Sequence, residues 1–359
     1  MKPRSARVAA GSFLAFTTAL GAQATVSAPG GVLRGTVQDS LTGEPVGYAL
    51  VILVEPDRRV FASAAGAFFF PDLGPGPLTL RVQQIGYRGV SVPLQVDTRS
   101  ADPGSRQLLI RLSHQALVLP EVTVEAQECP AGPEPGGDVE TGTILDEVFK
   151  NGERLLTLQQ EYPYRASMQH VTAVLNAERA TLRRTVDTVH FEKSRQSAGY
   201  QRGKVLGMSR FTEFGRPAFR EYAVYFEAAD LARPEFRKNH CFWLAGPDSV
   251  RGFPAYRIEF RPLAKVTTPD WAGALQIDSA SMHLLRSEAY LVNLPATGSS
   301  FRAAQCSALY TQLVPTLVHE FQAHCVTAHN VRPPAFTDER WTLLNRAFLG
   351  RRPDQPDPP

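Results

Sequence analysis

The sequence predicts a mainly β protein, in which an N-terminal β-sandwich is followed by a curved antiparallel sheet domain with one or two helices. Three observations predict it. Between residues 33 and 96 short apolar runs recur about every 8 to 12 residues, split by Gly and Pro, which is the rhythm of a sandwich. From Tyr164 onward, segments alternate apolar and polar residues with a period of two, leaving one apolar face for a sheet to bury. Ahead of them, Thr143 to Gln160 spaces its apolar residues as a helix does. A chain of 359 residues is long enough for two domains, each with its own core.

In order along the chain, Gly35-Thr36-Val37-Gln38-Asp39 opens a strand and Thr42-Gly43-Glu44-Pro45-Val46 makes a turn. Ala49 to Val54 reads as a buried strand, and Gly66-Ala67-Phe68-Phe69-Phe70 follows a second turn. Leu78-Thr79-Leu80-Arg81-Val82 runs to Ile85-Gly86-Tyr87, where Gly86 is read as taking a positive φ. Gln107 to Leu112 is a late strand, so the sandwich spans 32–114. This segment resembles the carboxypeptidase regulatory-like domain, a transthyretin-like fold appended to secreted and outer-membrane proteins. The resemblance implies an accessory, carbohydrate-binding-like module in a bacterial envelope protein. Leu119-Pro120-Glu121-Val122-Thr123-Val124-Glu125 is similar to the joint between that module and the plug of TonB-dependent transporters, and the resemblance ends at the joint.

Residues 115–142 read as a strand and a Pro/Gly linker containing Cys129, and 143–330 as a helix plus antiparallel β domain. In the helix, Ile144, Leu145, Val148, Phe149, Leu155, Leu156 and Leu158 form the apolar stripe, and Asn151-Gly152 is the point where it would break or kink. Strands follow at Tyr164 to Met168, Leu182 to Val189, Tyr222 to Phe226, Ala255 to Phe260 and Leu284 to Val292. Turns are expected at Gly246-Pro247-Asp248, Thr268-Pro269-Asp270 and Asp278-Ser279-Ala280-Ser281. Residues 331–359 are a C-terminal tail. Within it Thr337 to Leu349 fits a short helix, with Thr337 as N-cap and Asp338 and Glu339 in its first turn, and Arg351 to Pro359 is disordered on composition.

The segments Ala255 to Pro262, Trp271 to Asp278 and Leu284 to Tyr290 repeat a rhythm of strand, stop and short turn. It is similar to that of bacterial envelope proteins in which a β-rich domain follows a regulatory-like domain. It resembles, more weakly, the half-barrel of periplasmic lipoprotein carriers. That likeness implies an acyl chain cupped between a curved sheet and helices, with helix 143–160 as lid; the other reading is that the apolar faces close into a filled core.

Residues 1–24 have the form of a secretory signal peptide: Lys2, Arg4 and Arg7, an apolar run from Val8 to Leu20, and an Ala22-Gln23-Ala24 cleavage site. The apolar run is too short to span a bilayer, so the mature protein is expected to be exported and not membrane-spanning. Location in the periplasm, or in association with the outer membrane of a Gram-negative bacterium, follows from this and the resemblance. Loss of three basic residues takes the formal charge from +3 to about zero, which argues against a nucleic-acid partner. Four cysteines in an exported chain suggest two disulfides, with three connectivities open. Cys306 and Cys325 flank Val314-Pro315 near its midpoint and face each other if that is a hairpin, leaving Cys129 and Cys241 to tie the linker to the second domain.

Catalytic motifs fail on inspection. His319-Glu320-Phe321-Gln322-Ala323-His324 places its His pair at i and i+5, where a zinc helix needs i and i+4, and the segment reads as strand. Each of the eight His lacks a Glu three residues on, so the zinc pair of metallocarboxypeptidases is missing. Gly199-Tyr200-Gln201-Arg202-Gly203-Lys204 is one residue short of a phosphate loop and is followed by Val205, and no G-x-S-x-G occurs. Asn239-His240-Cys241-Phe242-Trp243-Leu244 is the densest unusual cluster. It reads as a core disulfide strand, with His240 and Trp243 as candidate ligand contacts.

No catalytic, cofactor or metal residue is assigned. The chain is read as a non-catalytic envelope protein whose sandwich is a binding or spacer module for a glycan or partner protein. The alternative is a periplasmic carrier of lipid or another apolar ligand in the half-barrel; an exported hydrolase ranks third.

Overall fold

Gly and Asx turns punctuate seven short strands at the N-terminus: β1 (Gly31–Asp39), β2 (Leu50–Leu53), β3 (Arg58–Phe61), β4 (Ala67–Leu73), β5 (Gly76–Gln83), β6 (Val90–Val96) and β7 (Gln107–Leu112). The computed structural model describes residues 31–96, 107–115, 139–194, 199–213, 216–295, 301–314 and 317–349. Two sheets, β3-β2-β5-β6 and β4-β1-β7, enclose Val37, Val51, Leu53, Phe68, Phe70, Leu80, Val82, Ile110 and Leu112. β1 and β7 pair in parallel and the remaining pairs are antiparallel. Gly86 closes its turn with φ +78°, as its place before Tyr87 predicts.

β2 is buried on both faces. Its second face, with Leu50 and Ile52, joins Phe61 of β3 in packing on Leu158 of α1 (Val139–Glu161) and on Tyr162 just beyond it. The other flank of α1, with Ile144, Leu145, Val148, Leu155 and Leu156, joins the core of the second unit. The helix therefore lies between the two β units as shared mortar. Its polar residues are buried too. Glu147 accepts from the Gly86 N–H (2.9 Å) and from Lys150 Nζ (2.6 Å), and Lys150 also donates to the Tyr87 carbonyl at 2.6 Å. Arg81 Nη2 donates to Glu153 at 2.9 Å, and Arg154 donates to Gln84 Oε1 (2.7 Å) and the Tyr48 carbonyl (2.8 Å). Burial alone holds the Arg154 guanidinium down at about 9.

Two features of this helix correct the sequence reading. It begins at Val139, inside the stretch assigned to linker, and it runs unbroken through Asn151-Gly152. Asn151 is anchored rather than disruptive: Nδ2 donates to the Glu147 and Met282 carbonyls (2.8 and 2.9 Å), and Oδ1 accepts from the Leu284 N–H at 3.0 Å. Gly152 lets the backbone of a neighbouring 3₁₀ helix, Ala228–Ala232, approach so closely that an added Cβ would lie 2.7 Å from the Ala232 nitrogen.

The second unit holds β8 (Tyr164–Leu175), β9 (Thr181–Lys193), the separate hairpin β10 (Leu206–Glu213) and β11 (Arg216–Ala223), the 3₁₀ helix, and α2 (Pro234–Asn239). β12 (His240–Val250), β13 (Phe253–Pro262), β14 (Asp270–Asp278), β15 (Leu284–Val292), β16 (Phe301–Val314), β17 (Leu317–His329) and β18 (Ala335–Phe348) complete it. Nine of these strands form one antiparallel sheet in the order β12-β13-β14-β15-β16-β17-β18-β8-β9. Its concave core centres on the fully buried Trp271, with Phe226, Phe236, Ile258, Phe260 and Leu275.

The helix expected over Thr337 to Leu349 is instead strand β18, which corrects both that element and the unit's end at 330. Its backbone is paired on both sides, with β17 and β8, and those two ladders override the capping signals at Thr337. The turn expected at Gly246-Pro247-Asp248 is a bulge within β12, with Gly246 at φ +118°. The actual hairpin turn is Arg251-Gly252, both with positive φ, as a two-residue connection requires. Asp278 Oδ1 caps the next turn, accepting from the N–H groups of Ala280 and Ser281 at 3.0 and 2.6 Å. No helix among the described residues is long and apolar enough to cross a membrane.

Candidate ligand cleft

Where β8, β9 and β18 meet the C-terminal half of α1, the described residues leave the concave face partly uncovered. Alternation along β8 sends Tyr164, Ala166 and Met168 to that face, and register brings Lys193, Phe191 and Val189 of β9 opposite them. Leu155 and Gln159 of α1 form the roof, Ala228 and Ala229 of the 3₁₀ helix one wall, and Tyr310 of β16 part of the floor. The volume of the cleft is about 80 Å³. An apolar cavity of about 150 Å³ takes a benzene molecule, so this cleft as it stands admits one end of a chain and not the whole.

Leu343 and Arg346 both line the cleft although three positions apart on a strand, where strict alternation would put them on opposite faces. A bulge at exposed Leu344 accounts for it: Leu343 pairs with Met168, and beyond the shift Asn345 pairs with Ser167 and Arg346 with Ala166. The Arg346 guanidinium lies 5.0 Å from the Tyr164 ring centroid and 5.2 Å from that of Phe348. Burial holds it below the usual guanidinium range, against the favourable influence of Tyr164. Nη1 is buried with no hydrogen-bond partner among the described residues. The second cation, Lys193, is paired closely with Glu227, which also accepts from Gln159 Nε2 at 3.0 Å. Below Tyr310 a hydroxyl chain leads into the core, Tyr310 Oη to Ser287 Oγ to Tyr225 Oη, each at 3.0 Å.

The residues singled out from sequence lie elsewhere. His240 and Trp243 sit on opposite faces of β12 and do not form a pair. His240 is buried, its Nδ1 2.9 Å from the Phe236 carbonyl and its Nε2 3.1 Å from the Trp271 carbonyl. It braces the core beside Asp270, which accepts from Tyr200 Oη at 2.5 Å. Trp243 packs with Leu263 and Val266, under the Arg261 guanidinium at 5.0 Å. Cys306 and Cys325 are directly opposed on β16 and β17, bonded, with Cα atoms 4.1 Å apart. Cys241 is also in a disulfide; Cys129 lies outside the described residues. The segment Leu317–His329 is strand, and Gln201 to Lys204 is a turn closed by the Lys204 N–H on the Gln201 carbonyl at 3.0 Å. The joint at 119–125 also lies outside the described residues.

Sequence reasoning missed Gln159, Lys193, Glu227 and Arg346. Period-two alternation could have placed Tyr164, Ala166 and Met168 on one face, but nothing in the sequence marks Leu344 as the bulge that turns Arg346 inward.

The architecture is thus a β-sandwich joined through one helix to a curved nine-stranded antiparallel sheet, with a cleft between sheet and helix. Residues 32–108 match the family model of the carboxypeptidase regulatory-like domain. No curated protein matches the chain. Among solved structures, the chain is similar to a domain of the outer-membrane lipoprotein-sorting type from Vibrio parahaemolyticus, with 12% identity and a TM-score of 0.31 over 58% of this chain and 96% of that one. It is also similar to a DUF1329 family protein from Desulfovibrio piger (9%, 0.31, 58% and 95%) and to a LolA superfamily protein from Nitrosomonas europaea (11%, 0.29, 59% and 94%).

Proposed function

We propose that this is an exported, non-catalytic carrier of an apolar ligand, held between the concave face of the nine-stranded sheet and α1. The observation that carries the reading is the cleft itself: Leu155, Ala166, Met168, Phe191 and Leu343 form an apolar interior, and Gln159, Lys193, Glu227 and Arg346 supply the few polar groups. A concave, mainly apolar site with a small number of placed polar groups is what ligand binding requires. Loading a chain longer than the present 80 Å³ admits needs α1 and the 3₁₀ helix to move off the sheet. The secretory leader and the Cys306–Cys325 disulfide support an oxidising, extracytoplasmic location such as the periplasm.

The sandwich remains the second reading, as a module for a glycan or envelope partner. One of its sheets is covered by α1, and among the described residues β4-β1-β7 has no helix on it; there Arg34 lies 4.9 Å above the half-buried Phe69 ring.

Native mass spectrometry of protein purified from a periplasm tests the carrier. A lipid-sized adduct lost on denaturation, and absent from a Leu343→Asp variant that stays folded, is the expected result. A bare mass, both as purified and after incubation with a total lipid extract, overturns the reading.

A further inference from the structure

We propose that the ligand of this cleft is an anionic amphiphile, an acyl chain ending in a carboxylate or phosphate that Arg346 receives. The inference rests on the carrier reading and adds the ligand's charge and orientation. A cation facing an apolar cleft is normally neutralised from within the protein, as Lys193 is by Glu227. Arg346 has no such partner: among the described residues no ion pair to it occurs, the neutral Tyr164 hydroxyl is its side-chain hydrogen-bond partner, and its Nη1 is buried without an acceptor. A buried donor left unmet is costly, and a charged one more so, so a site of this kind points to an acceptor that arrives from outside.

The geometry favours an oxyanion. Tyr164 and Phe348 lie against the guanidinium and restrict its plane, and a fixed planar fork matches the two oxygens of a carboxylate or phosphate. Leu343, Met168 and Leu155 continue from this point into the cleft, so a headgroup on Arg346 directs its chain under α1. The Leu344 bulge, which gives Arg346 this position, thereby serves ligand orientation as well as strand twist.

The test uses the mature chain and two fluorescent probes of equal length, dansyl-aminoundecanoic acid and its methyl ester. The unaltered protein is expected to bind the acid at least about tenfold more tightly than the ester, the scale of one charge-assisted hydrogen bond. Arg346→Met is expected to abolish that preference while leaving ester binding in place. Equal binding of acid and ester by the unaltered protein overturns the headgroup assignment and leaves the carrier standing. So does a preference that survives in Arg346→Met. Binding of neither probe overturns the carrier itself. The acid-over-ester comparison needs no variant, so a misfolded Arg346→Met cannot mask the outcome. Displacement of the bound acid by dodecyl phosphate at lower concentration than by dodecanoate assigns the headgroup to phosphate, and the converse assigns it to carboxylate.

Discussion

Replacing Gly152 by Ala sets local propensity against tertiary packing, and the two predict opposite signs. In an isolated helix the change stabilises by about 1 kcal/mol, since Gly loses more backbone freedom than Ala. Here the added Cβ would stand 2.7 Å from the Ala232 nitrogen, 2.8 Å from Leu231 Cβ and 3.0 Å from the Ala228 carbonyl oxygen. Two of these three are backbone atoms of the 3₁₀ helix and cannot rotate aside. Overpacking of this kind costs about 1–3 kcal/mol, and contacts this short belong to the upper half of that range. The net expectation is a loss of about 1–2 kcal/mol, which lowers the thermal midpoint by roughly 2–6 °C. Thermal unfolding followed by far-ultraviolet circular dichroism measures it. The displaced segment carries Ala228 and Ala229, so apolar-probe affinity is expected to change with stability. A Gly152→Ala protein that melts above the parent would refute the packing argument and leave propensity in command.

Three further outcomes follow from the same structure. Gly86→Ala forces a Cβ into φ +78° beside the N–H that Glu147 accepts, and is expected to cost about 1 kcal/mol in urea unfolding; an unchanged midpoint contradicts that. Cys306→Ser opens a loop of sequence separation 19 and should cost about 2–4 kcal/mol in oxidising buffer, a difference that disappears when both proteins are reduced. Burial raises the Glu147 carboxyl above its ordinary value, against Lys150 and the Gly86 N–H, so between the ordinary and raised values the folded state binds more protons than the unfolded. Its contribution to stability is therefore greatest below about pH 4.5 and falls as pH rises through that window. Glu147→Gln is expected to flatten the urea midpoint there, and parallel profiles for the two proteins would remove Glu147 as the cause.

The sandwich was the most legible part, because its signals are local. Gly86 takes the positive φ that a glycine ahead of Tyr87 suggests, and Gln107 to Leu112 is a strand by composition alone. Asp278 caps the turn three residues ahead of Ser281 through its own side chain, a contact the sequence also encodes locally.

Other features depended on groups distant in the chain. Thr337, Asp338 and Glu339 have the chemistry of a helix start, yet β17 and β8 offer Ala335–Phe348 hydrogen bonds on both edges, and strand pairing prevails. Asn151-Gly152 has the chemistry of a break. Met282 and Leu284, 131 and 133 residues away, satisfy Asn151, and the 3₁₀ helix fills the space that Gly152 leaves.

The sequence by itself determined the two β units, the helix ahead of the second, and the alternation that builds a one-faced sheet. Each rests on period or turn chemistry within about ten residues. Only the tertiary structure decided that α1 is held on both flanks, by Leu50, Ile52 and Phe61 on one side and by the Trp271 core on the other. It also decided that Arg346 faces inward. A single bulge reverses the parity of a strand, and whether a bulge forms depends on the register of its two neighbours, which no local pattern records.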